Sequence, residues 1–130
     1  MRFIPTRVHG VLDYVTAGVL IATPAMLGFR KHGMQTWLPI TLGVGTIGYS
    51  LLTDYELGLF KIIPMPMHLA LDAANGALLA ASPWLFGFAE EVSAPHLGLG
   101  LFEIVVTASS QPTPARTVDL GPAPTSSADD

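Results

Sequence analysis

The sequence predicts an all-α, polytopic membrane protein: four transmembrane helices arranged as two parallel tandem helical hairpins. Three observations predict it. Of 130 residues, 50% are apolar and only 12% charged, against about 25% charged in a soluble domain, so little charge remains to cover a water-facing surface. Four apolar stretches, near residues 9–29, 36–52, 68–88 and 95–108, approach the roughly 20 helical residues that span a hydrocarbon core. The chain also repeats itself. Residues 4–29 align without a gap on residues 63–88 at an offset of 59, and ten of the 26 positions are identical. They include His9/His68, Asp13/Asp72, Pro5/Pro64, Pro24/Pro83 and Gly28/Gly87, residue types with special chemistry or backbone demands rather than interchangeable apolar ones.

The first and third stretches are long enough to span. The second spans once interfacial residues are counted, and the fourth is short and carries Glu103 near its middle. The repeat supports the fourth. Leu42, Gly43 and Ile47 recur as Leu99, Gly100 and Ile104 at an offset of 57, with Ser50 and Thr53 answered by Thr107 and Ser110. Each unit is therefore a hairpin. Because a hairpin crosses twice, both units enter from the same side, as parallel repeats about an axis along the membrane normal. The expected divisions are residues 1–59 for the first repeat, 60–110 for the second and 111–130 for a tail. Pro, Ser, Thr and Asp dominate that tail, a composition that predicts disorder.

Around the third helix, Pro64 and Pro66 predict a link that runs extended until His68. The N-terminal MRFIPTRVHG lacks a clean apolar core and a small-residue cleavage site, so the first helix is expected to be retained. Arg2, Arg7, Lys61 and Arg116 fall on the face of the termini, against Arg30 and Lys31 on the face of the hairpin turns. This bias places the termini in the cytoplasm and the protein in the cell membrane. The six basic residues are scattered, which excludes a nucleic-acid face. Zero cysteines exclude disulfides, a thiolate nucleophile and Cys-type zinc sites.

The element richest in chemistry is H-x-x-x-D, present as His9 with Asp13 and as His68 with Asp72. Four residues apart on a helix, the two side chains share a face and can hydrogen-bond. A carboxylate inside a membrane is costly and marks a candidate functional site. Glu103 is expected near the same depth, so these five residues are predicted to form one polar cluster; its counterpart in the first repeat is Thr46. Two readings follow from the cluster. Two His with two or three carboxylates suit zinc, manganese or iron, or a proton path. The structural reading ranks above both: a His and Asp near a helix start cap free amides, answer the helix dipole and clamp neighbouring helices.

The second recurring element is Ser82, Pro83, Trp84, answered by Thr23, Pro24 and Ala25. Proline kinks the helix near its outer end, and the preceding hydroxyl can satisfy the freed carbonyl. Gly28 and Gly87 allow close packing or a C-terminal cap, and Trp37 and Trp84 anchor at the headgroups. Small residues such as Ala17, Gly43, Gly76 and Gly100 predict close helix packing. His32 and His96 are expected to face solvent or headgroups and receive no role.

With these residues in place, the chain resembles the SPW repeat family of small bacterial and archaeal membrane proteins, named for the triplet that here is Ser82, Pro83 and Trp84. The resemblance runs from about residue 6 to 110 and includes the His and Asp of each unit; the first unit departs from it at Thr23 and Ala25. It implies paired two-helix membrane repeats and no particular activity. The expected function is a structural, anchoring or partner-binding membrane module without a cofactor, whose partners are the lipid bilayer and either a second copy or another membrane protein. The alternative is a small proton- or metal-ion-coupled transport element. An enzyme has least support, since no nucleophile motif or cofactor fingerprint is present.

Overall fold

The computed structural model describes residues 2–29 and 32–114, so the predicted tail, apart from its first four residues, lies outside the described residues together with Arg30, Lys31 and Arg116. Four helices form in order: α1 (Thr6–Leu27), α2 (Met34–Leu51), α3 (Met65–Leu85) and α4 (Ala94–Ser109). No strand occurs among the described residues, only isolated bridges pairing Ile4 with Ser110 and Thr53 with Ile63. By length and composition α1 alone qualifies as a membrane span among the described residues, and α4 is a shorter apolar helix.

The recurring Ile-Pro starts the first helix of each unit. Pro5 and Pro64 hold extended backbone at φ −62° and −61°, and helix begins at the next residue without a side-chain cap. This places His9 and His68 three residues inside their helices and corrects the expectation that they cap the start. It also corrects the extended link: Pro66 lies in the first turn of α3, where no intrahelical donor is needed.

At the far end the repeat again dictates the geometry. Gly28 and Gly87 adopt φ of +68° and +75°, a region that glycine enters without a Cβ penalty. The Phe29 and Phe88 amides then fold back onto the carbonyls of Pro24 and Pro83, at 2.9 and 2.8 Å, closing both helices in the same way.

Within each hairpin the helices approach closely at small residues. A Cβ on Gly43 would lie 2.7 Å from the Ala17 carbonyl oxygen, and one on Gly100 would lie 2.5 Å from the Gly76 oxygen. Gly43 and Gly100 are equivalent across the repeat, as are Ala17 and Gly76. Thus α1 packs chiefly on α2 and α3 on α4, while contact between hairpins is lighter and runs mainly through α2 and α3.

Prolines inside the helices free carbonyls, and side chains reclaim two of them. Pro83 withdraws the donor from Leu79, whose oxygen accepts the Ser82 hydroxyl at 2.7 Å, as the sequence predicts. In α1 the Thr23 hydroxyl donates instead to Val19, at 2.6 Å, one residue before the carbonyl that Pro24 frees. Pro39 in α2 frees the Gln35 carbonyl, which accepts from His96 Nε2 at 2.9 Å. His96 is therefore buried, packed between the rings of Phe29 and Phe88 at centroid distances of 5.5 and 4.8 Å. This corrects its predicted exposure: the carbonyl that His96 satisfies is freed by Pro39, its own equivalent across the repeat. His32 is exposed, as expected.

Burial departs from that of a water-soluble bundle: Leu20, Leu38, Leu69 and Leu79 are buried, yet many large apolar side chains are exposed and many polar ones are buried. Val8, Val11, Val15 and Val19 form an exposed stripe on α1, and Trp37, Val44, Leu71, Trp84, Leu101, Phe102 and Val105 continue it around the other helices. The buried set includes His9, Asp13, Thr16, Thr46, Thr53, His68, Asp72, Thr107 and Ser110.

Candidate functional site

The polar interior converges at the end of the bundle that carries the N-terminus, the link between hairpins and the end of α4. Two equivalent backbone junctions build this end. The Ile4 amide donates to Ser109 and the Ile4 carbonyl accepts from Gln111, both at 2.9 Å; Ile63 does the same with Leu52 and Asp54, both at 2.8 Å. Each hairpin is thereby stitched to the start of the other, which puts His9 beside Ser110 and His68 beside Thr53.

The four predicted residues meet in one ring. His9 Nε2 lies 3.0 Å from Asp13 Oδ1 on its own helix and 2.9 Å from Asp72 Oδ2 on the other. His68 Nε2 lies 3.1 Å from Asp72 Oδ2 on its own helix and 3.0 Å from Asp13 Oδ2. The two imidazoles meet edge to face at 5.4 Å. All four residues are buried, so each hairpin's pair is completed by the other hairpin's.

The outer atoms of the ring determine the inner ones. His9 Nδ1 lies 2.6 Å from the Ser110 hydroxyl oxygen, and that hydroxyl gives its single hydrogen to the Val106 carbonyl at 2.6 Å. Likewise His68 Nδ1 lies 2.7 Å from the Thr53 hydroxyl oxygen, whose hydrogen goes to the Tyr49 carbonyl at 2.7 Å. A hydroxyl has one donor, so in both cases the imidazole is the donor and Nδ1 carries the proton. Both Nε2 atoms then face carboxylate oxygens at hydrogen-bonding distance, which requires a proton or a cation between nitrogen and oxygen. With both Nε2 atoms protonated, two imidazoliums balance two carboxylates and the buried ring has no net charge.

Tyrosines complete the carboxylates. Tyr49 donates to Asp72 Oδ1 at 2.5 Å and itself accepts from the Asn75 amide at 3.1 Å. Tyr55, in the link, donates to Asp13 Oδ2 at 3.0 Å. Burial first, and then the Asp13 charge, push the Tyr55 phenol well above its ordinary pKa, so it remains a donor. Both tyrosines come from the first repeat, and their equivalents in the second are Val106 and Pro112. That departure from the repeat is why pattern reading missed them. The hydroxyls left a better trace, since Thr53 and Ser110 recur at the offset of 57.

Glu103 sits beside the ring without bonding to it. Its Oε2 has no hydrogen-bond partner among the described residues. It lines a cavity of about 20 Å³ shared with His9, Asp13, Asp72, Thr46 and Thr107, space for about one water. The predicted five-residue cluster is thus four bonded groups and one neighbour. Among the described residues, His9, Asp13, His68 and Asp72 also form the group able to hold a metal ion, with one donor atom from each lying within 4.8 Å of the others. Ser82, Pro83, Trp84, Thr23 and Pro24 lie toward the opposite end of the helices and contribute to their geometry rather than to this ring.

Fold and site together define a class: a duplicated all-α hairpin whose halves share one His and Asp ring at the end that joins them. The chain belongs to the SPW repeat family, whose SPW repeat domain matches residues 7–110. No curated protein and no solved structure matches it.

Proposed function

We propose that this chain is a multi-pass protein of the cell membrane, with both termini cytoplasmic, that serves as a structural module anchoring or holding a partner in the bilayer. The observation that carries this reading is where the bundle puts its polarity: a belt of exposed valine, leucine and tryptophan outside, and charged and hydroxyl groups buried inside beside a few leucines. In water an exposed apolar surface of this extent is unfavourable, whereas lipid favours it and confines ionisable groups to the interior. The family match supports the same reading. The ring supports a structural role, because its four groups are engaged with one another and with hydroxyls, and the adjoining cavity of about 20 Å³ is too small for an organic substrate. The ring then acts as a clamp across hairpins that otherwise pack lightly.

The absence of cysteine makes the topology directly testable. Single cysteines at Phe3, Phe60, Trp37 and Trp84 are introduced and labelled with an impermeant maleimide in intact cells. The expected result is labelling at 37 and 84 and protection at 3 and 60. Equal labelling of all four would overturn the four-span topology.

Glu103 favours a second reading, ion- or proton-coupled transport, because its carboxylate has an unbonded oxygen beside the ring. Flux of protons and divalent ions in liposomes separates the two. Unchanged flux in folded Asp13→Asn and Asp72→Asn variants sinks transport; loss of a measurable wild-type flux supports it.

A further inference from the structure

We propose that His9, Asp13, His68 and Asp72 form a site for one tetrahedral divalent transition-metal ion of the zinc class, held between the two hairpins. This deepens the clamp reading and rests on it only for the location of the ring.

The donor set comes first. Two imidazole nitrogens and two carboxylate oxygens suit zinc and its divalent neighbours. Magnesium and calcium need about six or more oxygen ligands, and the ring offers neither that number nor the room, since the adjoining cavity of about 20 Å³ holds about one water.

The spacing follows. Metal bonds of about 2.0–2.2 Å place tetrahedral ligand atoms about 3.3–3.6 Å apart. With Asp13 Oδ2 and Asp72 Oδ2 as the carboxylate donors, three nitrogen-to-oxygen separations are 2.9, 3.0 and 3.1 Å, and one donor atom from each of the four residues lies within 4.8 Å of the others. The short pairs open by a few tenths of an ångström and the wider ones, within 4.8 Å, draw in to admit the ion. Asp72 offers Oδ2, which both imidazoles already share, and Asp13 straddles the ring with Oδ1 toward His9 and Oδ2 toward His68.

The outer shell is of the kind metal sites use. Metal-binding imidazoles donate their second N–H to a fixed acceptor, which sets the tautomer. Here Ser110 and Thr53 are those acceptors, and because their own hydrogens are committed to helix carbonyls, both Nε2 atoms are the free donors toward the ion. Tyr49 and Tyr55 orient the carboxylates. Charge also balances: as the divalent ion enters, the two Nε2 protons leave, and the ring is neutral before and after. The ion therefore brings no net charge into the interior.

The test uses the full chain purified in detergent, stripped with a chelator, loaded with zinc chloride and desalted before metal counting. Expected is one zinc per chain, no retained magnesium, and a tetrahedral visible spectrum when cobalt(II) replaces zinc. His9→Gln with Asp72→Asn should abolish retention. If that double variant does not fold, Ser110→Ala and Thr53→Ala decide, since each leaves all four ligands and should weaken zinc binding about 10–100-fold. A wild-type chain that retains no zinc and gives no cobalt spectrum overturns the inference. So does retention unaltered by these substitutions, which would place the ion elsewhere, for example at His32. If zinc does not bind while the ring variants melt early, the clamp stands and the metal site falls.

Discussion

His9 stands 101 residues before Ser110, yet its Nδ1 donates to the Ser110 hydroxyl at 2.6 Å inside the bundle. His68 and Thr53 repeat the contact at 2.7 Å with the hairpins exchanged. Each imidazole is thus oriented by the hairpin to which it does not belong. The buried polar groups of one half are thus satisfied by the other.

Removing either hydroxyl tests this exchange. Ser110→Ala or Thr53→Ala leaves a buried imidazole N–H without an acceptor, at a cost of about 1–3 kcal/mol. Thermal melting in detergent should show a clear fall in Tm for both, with Thr53→Ser and Ser110→Thr close to wild type. Equal stability of the alanine and hydroxyl variants would mean that the imidazoles find their orientation from the aspartates alone.

The ring itself should behave as one unit. Replacing one carboxylate leaves two imidazoles facing a single anion, and breaking a buried pair costs about 3–5 kcal/mol. Because Asp13 and Asp72 contact the same two imidazoles, their effects are coupled. The Asp13→Asn, Asp72→Asn double variant should lose less stability than the sum of the singles, with an interaction of about 0.5–3 kcal/mol. Additive losses in denaturant titrations would show two independent pairs.

Much of this was legible from the repeat, and its residues show why some was not. Matching His, Asp, Pro and Gly positions predicted two hairpins with their His and Asp pairs at one end. Periodicity alone could not show that the pairs interlock, since an i, i+4 partner on the same helix satisfies the spacing equally well. Tyr49 and Tyr55 left no trace because they serve only one half. His96 was misplaced because its partner is a backbone carbonyl exposed by Pro39, and burial of that kind depends on which helices face each other. Hydropathy supports only part of the expected topology: among the described residues one helix, α1, is long and apolar enough to span, and α4 is apolar but short.

Glycines should divide by location. Gly43→Ala and Gly100→Ala force a methyl against backbone atoms of the neighbouring helix, at 2.7 and 2.5 Å, and should cost about 1–3 kcal/mol through separation of the helices. Gly18, Gly45, Gly48 and Gly98 have open space at the same position. Alanine there should be neutral or stabilising by about 0.5–1 kcal/mol. Melting all six variants side by side checks the division, and a large loss at Gly45 or Gly48 would reveal a contact with another chain.

The proline carbonyls offer the sharpest test, because each defect and its remedy are separate residues. Ser82→Ala removes the hydroxyl from Leu79, and His96→Phe removes the donor from Gln35 while preserving an aromatic ring between Phe29 and Phe88. Each leaves a buried carbonyl without a partner and should cost about 1–3 kcal/mol. Restoring the helical amide repairs the same defect from the other side. Pro83→Ala returns a donor to Leu79 and Pro39→Ala returns one to Gln35. The pairs Ser82→Ala with Pro83→Ala, and His96→Phe with Pro39→Ala, should therefore recover much of the loss, whereas the crossed pairs should not. Recovery in the crossed pairs as well would show that any proline removal stabilises the bundle, and that neither side chain acts through its carbonyl.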